Sequence, residues 1–159
     1  MYSLSIFTTA IRSLSYPDGR VYTGPCSEAP HGHGKMTYAD GKVYEGHFEY
    51  GVRSGRGKST KPDGTTYEGN WKNDKINGHC VLTWSTTGVY AGYVYVGDFV
   101  EDQRSGHGRM IYPDGGVYIG EWLNDKQNGQ GVDISTSGRV LTGQWKDNRY
   151  MGDVSCIIS

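Results

Sequence analysis

The chain of 159 residues carries 25 glycines and 13 tyrosines, a composition typical of short strands and tight turns, which argues against a protein of packed helices. Its 16 basic and 17 acidic side chains are interspersed and give a net charge of −1, so no charge field attracts it to nucleic acid or to an anionic bilayer. Cys26, Cys80 and Cys156 form neither a disulfide framework nor a zinc-ligand spacing, and we therefore expect a cytoplasmic protein, with a membrane or the cytoskeleton as peripheral locations.

Residues 1–15 are predicted to form an N-terminal capping segment. Tyr2, Leu4 and Ile6 alternate with serines or flank them, which is the period of a strand with one buried side. The segment has no basic leader and no apolar run long enough to cross a membrane, so we expect neither a signal peptide nor a membrane span here. A strand in this position would cover the edge of the units that follow.

Residues 16–153 repeat one short phrase, which begins with Tyr or Leu and, in all copies but the first, ends with an aromatic residue. The four clear copies are Tyr44-Glu-Gly-His-Phe48, Tyr67-Glu-Gly-Asn-Trp71, Tyr95-Val-Gly-Asp-Phe99 and Tyr118-Ile-Gly-Glu-Trp122, and weaker copies begin at Tyr22 and Leu141. The lead residues are 22, 23, 28, 23 and 23 positions apart. A fixed period of this length indicates a repeat architecture, here of about six units.

Each unit also carries a Gly-x-Gly phrase and a turn signal. The first is seen in Gly32-His-Gly34, Gly55-Arg-Gly57, Gly106-His-Gly108 and Gly129-Gln-Gly131, with Gly78-His-Cys80 differing at one position. Asp-Gly between alternating runs, as at Asp63-Gly64, predicts a β-hairpin. We therefore predict an all-β fold with almost no helix: an elongated, curved single antiparallel sheet, a meander of about twelve strands with one hairpin per unit. Trp71 to Gly78 is predicted to be a polar loop between hairpins.

Strand alternation assigns the two faces of this sheet. Tyr67, Gly69 and Trp71 point one way, and glycines beside the rings place this aromatic face on the concave side. We predict that eight rings on it bind a partner: Tyr44, Phe48, Tyr67, Trp71, Tyr95, Phe99, Tyr118 and Trp122. The alternative is that the rings bury one another, the Trp and Phe rings more than the Tyr rings, whose hydroxyls we expect to be reachable. The opposite face, with Lys35, Lys58 and Arg109 near Glu45 and Glu68, is predicted to be solvated.

One unit breaks the period. Five extra residues lie between Cys80 and Tyr95, and an odd insertion would flip the faces of a regular strand, so we expect a longer hairpin tip or a bulge near residues 86–92. Cys80 stands in a glycine column and is interpreted as a tolerated replacement. Residues 154–159 are predicted to form a C-terminal edge strand or tail.

The chemistry of enzymes and metal sites is not indicated. Histidines at equivalent positions of neighbouring hairpins, such as His79 and His107, would lie roughly 10 Å apart, too far to share a zinc ion. The aspartates fall in turns, and no Ser, His and Asp stand in a recognisable nucleophile elbow. We expect no enzyme activity, no cofactor and no metal.

The phrases from Tyr16 to Asp153 resemble the MORN repeat family. The resemblance implies rows of β-hairpins in a curved sheet that bind partner proteins, and, in some members, association with membranes or phosphoinositides or end-to-end dimers. We therefore predict a non-enzymatic scaffold that binds a protein segment, an extended peptide or an amphipathic helix, through the concave aromatic face. The alternative is a peripheral phosphoinositide-binding module using Lys58, Lys72, Lys75 and Lys126. A homodimer through end strands is a further possibility, and nucleic acid is not expected.

Overall fold

A computed structural model describes residues 11–153, and these form one open antiparallel sheet of 13 strands in chain order. The strands are β1 Ile11–Ser15, β2 Val21–Pro25, β3 Gly32–Thr37, β4 Val43–Glu49, β5 Val52–Thr60, β6 Thr66–Lys72, β7 Lys75–Thr83, β8 Val94–Val100, β9 Gln103–Ile111, β10 Val117–Leu123, β11 Lys126–Ile134, β12 Val140–Lys146 and β13 Arg149–Gly152. The predicted all-β meander is confirmed. The predictions for residues 1–10 and 154–159 lie outside the described residues.

Residues 11–153 contain no helix of the length and apolar character needed to cross a membrane.

Two kinds of tight turn alternate along the sheet. The Asp-Gly turns close hairpins as predicted: the Gly41 amide donates to the Tyr38 carbonyl at 2.9 Å. The other kind was missed, because β6 and β7 are joined by only Asn73 and Asp74, whose φ angles are 50° and 66°. Asn and Asp tolerate this left-handed conformation, which a two-residue hairpin turn requires. The prediction of a longer polar loop from Trp71 to Gly78 was therefore wrong.

The Gly-x-Gly phrase builds a bulge. Gly46 pairs with Gly57 and Phe48 pairs with Arg53, so β5 uses four positions where β4 uses two. Gly55 lies inside this shift with a φ of 66°, a conformation that glycine adopts without strain. The first glycine of each phrase therefore permits the bulge, and the second returns the strand to register.

Each two-residue turn packs on the preceding repeat. The Arg53 amide donates to Asp74 Oδ1 at 2.9 Å, and the Asp74 amide donates back to the Arg53 carbonyl at 3.1 Å. The same exchange joins Ile76 to Asp102, Arg104 to Asp125 and Gln127 to Asn148. These bonds connect neighbouring repeats directly, as expected where each repeat is stabilised by the next.

The face opposite the rings changes character along the sheet. In the first half Lys58 lies 3.2 Å from Glu68, as expected for a solvated face. From β7 onward the corresponding row reads Val81, Val96, Arg109, Ile119 and Val132. Ile119 is 48% exposed. The prediction of a solvated face therefore holds for the first half, whereas the second half is largely aliphatic.

Candidate functional site

The lead tyrosines form one row across the aromatic face. Tyr44, Tyr67, Tyr95 and Tyr118 are linked in register through one intervening residue on each partner strand, so the prediction that they share a face is confirmed. Rings two strands apart, such as Tyr44 and Trp71, have centroids 5.2 Å apart, although their strands are separated by roughly 10 Å. Side chains thus converge on this face, as in a sheet that curls toward it.

Three of the tyrosines are wholly enclosed. Tyr44, Tyr95 and Tyr118 are 0% exposed. Each hydroxyl donates to the backbone carbonyl three residues further on, at 3.1 Å to His47, 3.2 Å to Asp98 and 3.2 Å to Glu121. Burial raises the pKa of Tyr44 and of Tyr118 to about 12, and it raises the pKa of Tyr95 as well. The expectation of reachable hydroxyls was therefore wrong at these positions.

The Trp and Phe rings complete a column of edge-to-face contacts. Tyr44 packs against Phe48 at 5.1 Å and Trp71 at 5.2 Å, and Trp71 Nε1 donates to the Gly57 carbonyl at 3.0 Å. Tyr95 repeats the pattern with Phe99 and Trp122. Seven of the eight predicted binding residues are buried in this column, and their direct contact with a partner stays a prediction.

Tyr67 is the exception. It is only half-buried, and among residues 11–153 it has no ring pair and no hydrogen bond from its hydroxyl. In the other repeats the tyrosine ring lies over the second glycine of Gly-x-Gly, but here Cys80 stands opposite Gly69. Cys80 is 0% exposed. Its side chain fills the space where the ring would lie, so Tyr67 stands outside the column.

A cavity of about 320 Å³ opens where Tyr67 leaves the column. Leu82, Phe99 and Met110 contribute its buried apolar part, and Tyr67 and Trp84 stand beside them, half-buried. We call this space the aromatic pocket. It interrupts the ring packing between Tyr67 and Phe99 and exposes apolar and aromatic surface.

The irregular insertion supplies one side of the aromatic pocket. Residues 84–93 join β7 to β8, and the Trp84 amide donates to the Tyr93 carbonyl at 3.0 Å across the base of this connection. The rings of Trp84, Tyr90 and Tyr93 lie 5.8–6.2 Å from one another. Tyr90 is 59% exposed. The inserted residues therefore place an aromatic cluster next to the gap that Cys80 creates.

Arg104 forms the polar end of the aromatic pocket. Its guanidinium lies 4.7 Å from the Trp122 ring centre and 5.7 Å from that of Trp84. Its Nε donates to Asp125 Oδ1 at 3.0 Å, and its side chain is only 16% exposed. Its Nη2 donates to the Asp125 backbone carbonyl at 2.8 Å, so stacking and two hydrogen bonds to Asp125 hold the cation in one orientation.

The aromatic pocket has the chemistry of a binding site. Burial raises the pKa of the Cys80 thiol to about 12, so at neutral pH it stays protonated and is not a nucleophile. Residues 11–153 contain no cluster of three or more His, Cys, Asp or Glu side chains that could hold a metal ion. Apolar rings around a few oriented polar groups are typical of ligand and peptide sites.

The family model of the MORN repeat matches six segments of the chain, residues 29–43, 44–66, 67–89, 95–117, 118–134 and 142–152. The chain belongs to the MORN repeat family. Two MORN repeats, 67–89 and 95–117, flank the aromatic pocket, and the residues between them match neither repeat. Tyr90 and Tyr93 lie in that unmatched stretch, so part of the site is not a MORN element at all.

Several known proteins are similar to this chain in sequence or in fold. Alsin of Rattus norvegicus is 33% identical over 107 residues, which cover 64% of this MORN-repeat chain, and Alsin of Mus musculus is 32% identical over the same length. The chain spans only about 6% of the length of these relatives. The TCP10 domain of Danio rerio CPAP superposes with a TM-score of 0.52 at 22% identity, over 90% of this chain and 64% of that one. The SAS-4 TCP domain of Drosophila melanogaster, in complex with a proline-rich motif of Ana2, gives 0.49 at 13% identity, over 86% and 79%. The two structural likenesses concern the fold alone.

The sequence predicted the row of repeated aromatic residues but did not predict the aromatic pocket. It grouped Tyr67 with the other tyrosines and did not single out Trp84, Tyr93 or Arg104. Two signals were available: a side chain at Cys80 in a column of glycines, and an insertion in the same unit. Their meaning depends on which residue lies under which ring, and the bulges shift that register.

Proposed function

We propose that this MORN-repeat protein is a non-enzymatic scaffold that binds a segment of a partner protein at the aromatic pocket. The observation that carries the proposal is the gap in the ring column beside Tyr67. Elsewhere on this face the rings pack against one another, whereas here apolar and aromatic side chains surround about 320 Å³ of space. Pockets of this kind receive the anchor side chains of protein interfaces.

The surroundings suit an elongated ligand. The aromatic pocket spans β6 to β9 on an open sheet, so a segment can enter across the strands without threading through a closed cavity. An extended peptide and an amphipathic helix both present apolar side chains at intervals that such a surface can receive. Partner binding then depends on the irregular unit rather than on the whole row of tyrosines.

The charges favour this proposal over a phosphoinositide module. Three of the lysines considered for lipid contact are paired with carboxylates: Lys58 with Glu68 at 3.2 Å, Lys75 with Glu101 at 2.6 Å, and Lys126 with Asp147 at 3.0 Å. These neighbours offset the attraction of the lysines to anionic headgroups.

Peptide display on the immobilised full chain tests the proposal. Enriched peptides are labelled, and their dissociation constants are measured by fluorescence anisotropy for the wild type, for Trp84→Ala and for Ile119→Thr. We expect Trp84→Ala to weaken binding tenfold or more, because it removes a wall of the aromatic pocket. Ile119→Thr, on the opposite face, should leave the constant unchanged.

Two results would contradict the proposal. One is equal affinity of the wild type and a folded Trp84→Ala variant, which would place binding elsewhere. The other is an absence of enriched peptides together with co-sedimentation of the protein with phosphoinositide vesicles at physiological salt, which would favour the membrane alternative.

A further inference from the structure

We infer that Cys80 is a positioning residue that keeps the aromatic pocket open, and that the pocket receives a bulky apolar side chain from a segment carrying an acidic side chain about two residues away. This inference rests on the proposed function, because it names the determinant and the ligand chemistry of the same site. It has a steric part and an electrostatic part.

The steric part follows from the glycines under the other rings. A Cβ built on Gly57 would lie 2.6 Å from Tyr44 Cε2, and one built on Gly131 would lie 2.6 Å from Tyr118 Cζ. Real side chains do not approach so closely, so each ring needs a bare backbone beneath it. Cys80 carries a Cβ and a thiol at the equivalent position, and the Tyr67 ring is therefore excluded from its place in the column.

The exclusion of Tyr67 leaves Phe99 without a ring from the preceding repeat. The Tyr44 ring packs on Trp71 and the Tyr95 ring packs on Trp122, each with ring centroids 5.2 Å apart. Among the described residues no such pair joins Tyr67 to Phe99. Phe99 lines the aromatic pocket instead. A partner's apolar side chain would contact Phe99 from the direction that the tyrosine ring occupies in the other repeats.

The electrostatic part comes from a second, smaller cavity beside the first. It has a volume of about 200 Å³ and shares Tyr67 and Asp102 with the aromatic pocket. Lys42 and Lys61 line it, with their Nζ atoms 4.1 Å from the Tyr38 ring centre and 5.2 Å from the Tyr67 ring centre.

Among residues 11–153, neither Lys42 nor Lys61 forms an ion pair with a carboxylate, in contrast to Lys58 and Lys75. The lining of the smaller cavity also contains Arg53, which is paired with Asp74, and the Asp102 carboxylate. Its two lysines therefore outnumber its one carboxylate, which makes this cavity complementary to an acidic side chain.

The spacing of the two cavities sets the spacing in the ligand. The smaller one spans β5 to β7 and the aromatic pocket spans β6 to β9, so the midpoints of these ranges lie about one and a half strand spacings, roughly 7 Å, apart. An extended chain advances about 3.3 Å per residue and covers this distance in about two residues, whose side chains point to the same side.

Two substitutions at one position test the steric part. Cys80→Gly removes the obstacle, so Tyr67 can return over the backbone and pack on Phe99, which closes the pocket. Cys80→Ala retains the Cβ and keeps Tyr67 out. With a peptide selected on the wild type by display, we expect Cys80→Gly to raise the dissociation constant tenfold or more and Cys80→Ala to change it less than threefold. Thermal unfolding checks that both variants are folded.

A charge reversal tests the electrostatic part. Lys61→Glu should weaken an acidic selected peptide tenfold or more, and replacing the acidic residue of that peptide with Lys should recover binding to the Lys61→Glu variant. Lys72→Glu, an exposed lysine on the opposite face, serves as the matched control and should have no effect.

The outcomes separate this inference from the proposed function. Binding that is lost in Trp84→Ala but unchanged in Cys80→Gly overturns the role of Cys80 and leaves the proposed function standing. Equal affinity for Lys61→Glu overturns the acidic requirement. Peptides that bind Trp84→Ala as well as the wild type, or a display that enriches no peptide above the empty support, overturn the proposed function and this inference with it.

Discussion

Replacing Gly57 with alanine tests whether the buried tyrosines need a bare backbone beneath them. The new Cβ would lie 2.6 Å from Tyr44 Cε2, and Tyr44 is 0% exposed, so the ring must move. Tyr44 would lose edge-to-face contacts with Phe48 and Trp71, about 0.5–1.5 kcal/mol each. It would also lose the hydroxyl bond to the His47 carbonyl, about 0.5–1.5 kcal/mol. The expected cost is therefore roughly 1.5–4.5 kcal/mol of unfolding free energy.

Urea unfolding followed by tryptophan fluorescence measures this cost. Cys80→Ala is the matched control, because it places the same residue in the same column under a tyrosine that is already outside it. It removes one buried sulfur atom and should cost no more than about 1.5 kcal/mol. A loss below about 1 kcal/mol for Gly57→Ala, or equal losses for the two variants, would refute the argument that ring and glycine are matched.

Two further predictions concern the column and the turns. Burial raises the pKa of Tyr44 to about 12, so ionisation favours the unfolded chain above pH 10, and the urea midpoint should be flat below pH 10 and fall as pH rises towards 12. Tyr44→Phe should make that fall shallower, and a midpoint independent of pH would contradict this. Asp74→Asn should cost no more than about 1 kcal/mol, because Asn148 accepts the same backbone bond in its own repeat, whereas Asp74→Ala should cost about 2 kcal/mol by losing the bond from Arg53 at a positive φ. Equal unfolding free energies for the two Asp74 variants would contradict the capping role.

The sequence predicts the architecture well because every repeat restates the same local signals. An Asp-Gly pair such as Asp63-Gly64 specifies a turn from its own residues, and the period of about 23 residues repeats this signal along the chain. The position of a ring, by contrast, depends on residues of the neighbouring strand. Tyr67 pairs with Leu82 and lies near Cys80 only after the register of β6 and β7 is known, and that register shifts between Gly69 and Trp71. Alternation alone assigns Tyr67 to the correct face, but it does not reveal what lies beneath the ring.

A regular array does not select one place for a partner. If every repeat presented the same rings, a segment displaced by one repeat would make nearly the same contacts, and its binding free energy would hardly change. Cys80 removes this equivalence by displacing Tyr67, and the inserted residues add Trp84 and Tyr93 at the same place. Both irregularities fall in one unit: Cys80 lies in the matched MORN repeat 67–89, and the inserted residues precede the repeat that begins at residue 95. On the proposed function, a partner segment therefore has one preferred position on an otherwise repetitive surface. Cys80→Gly should therefore raise the dissociation constant at this position tenfold or more while the regular repeats stay folded.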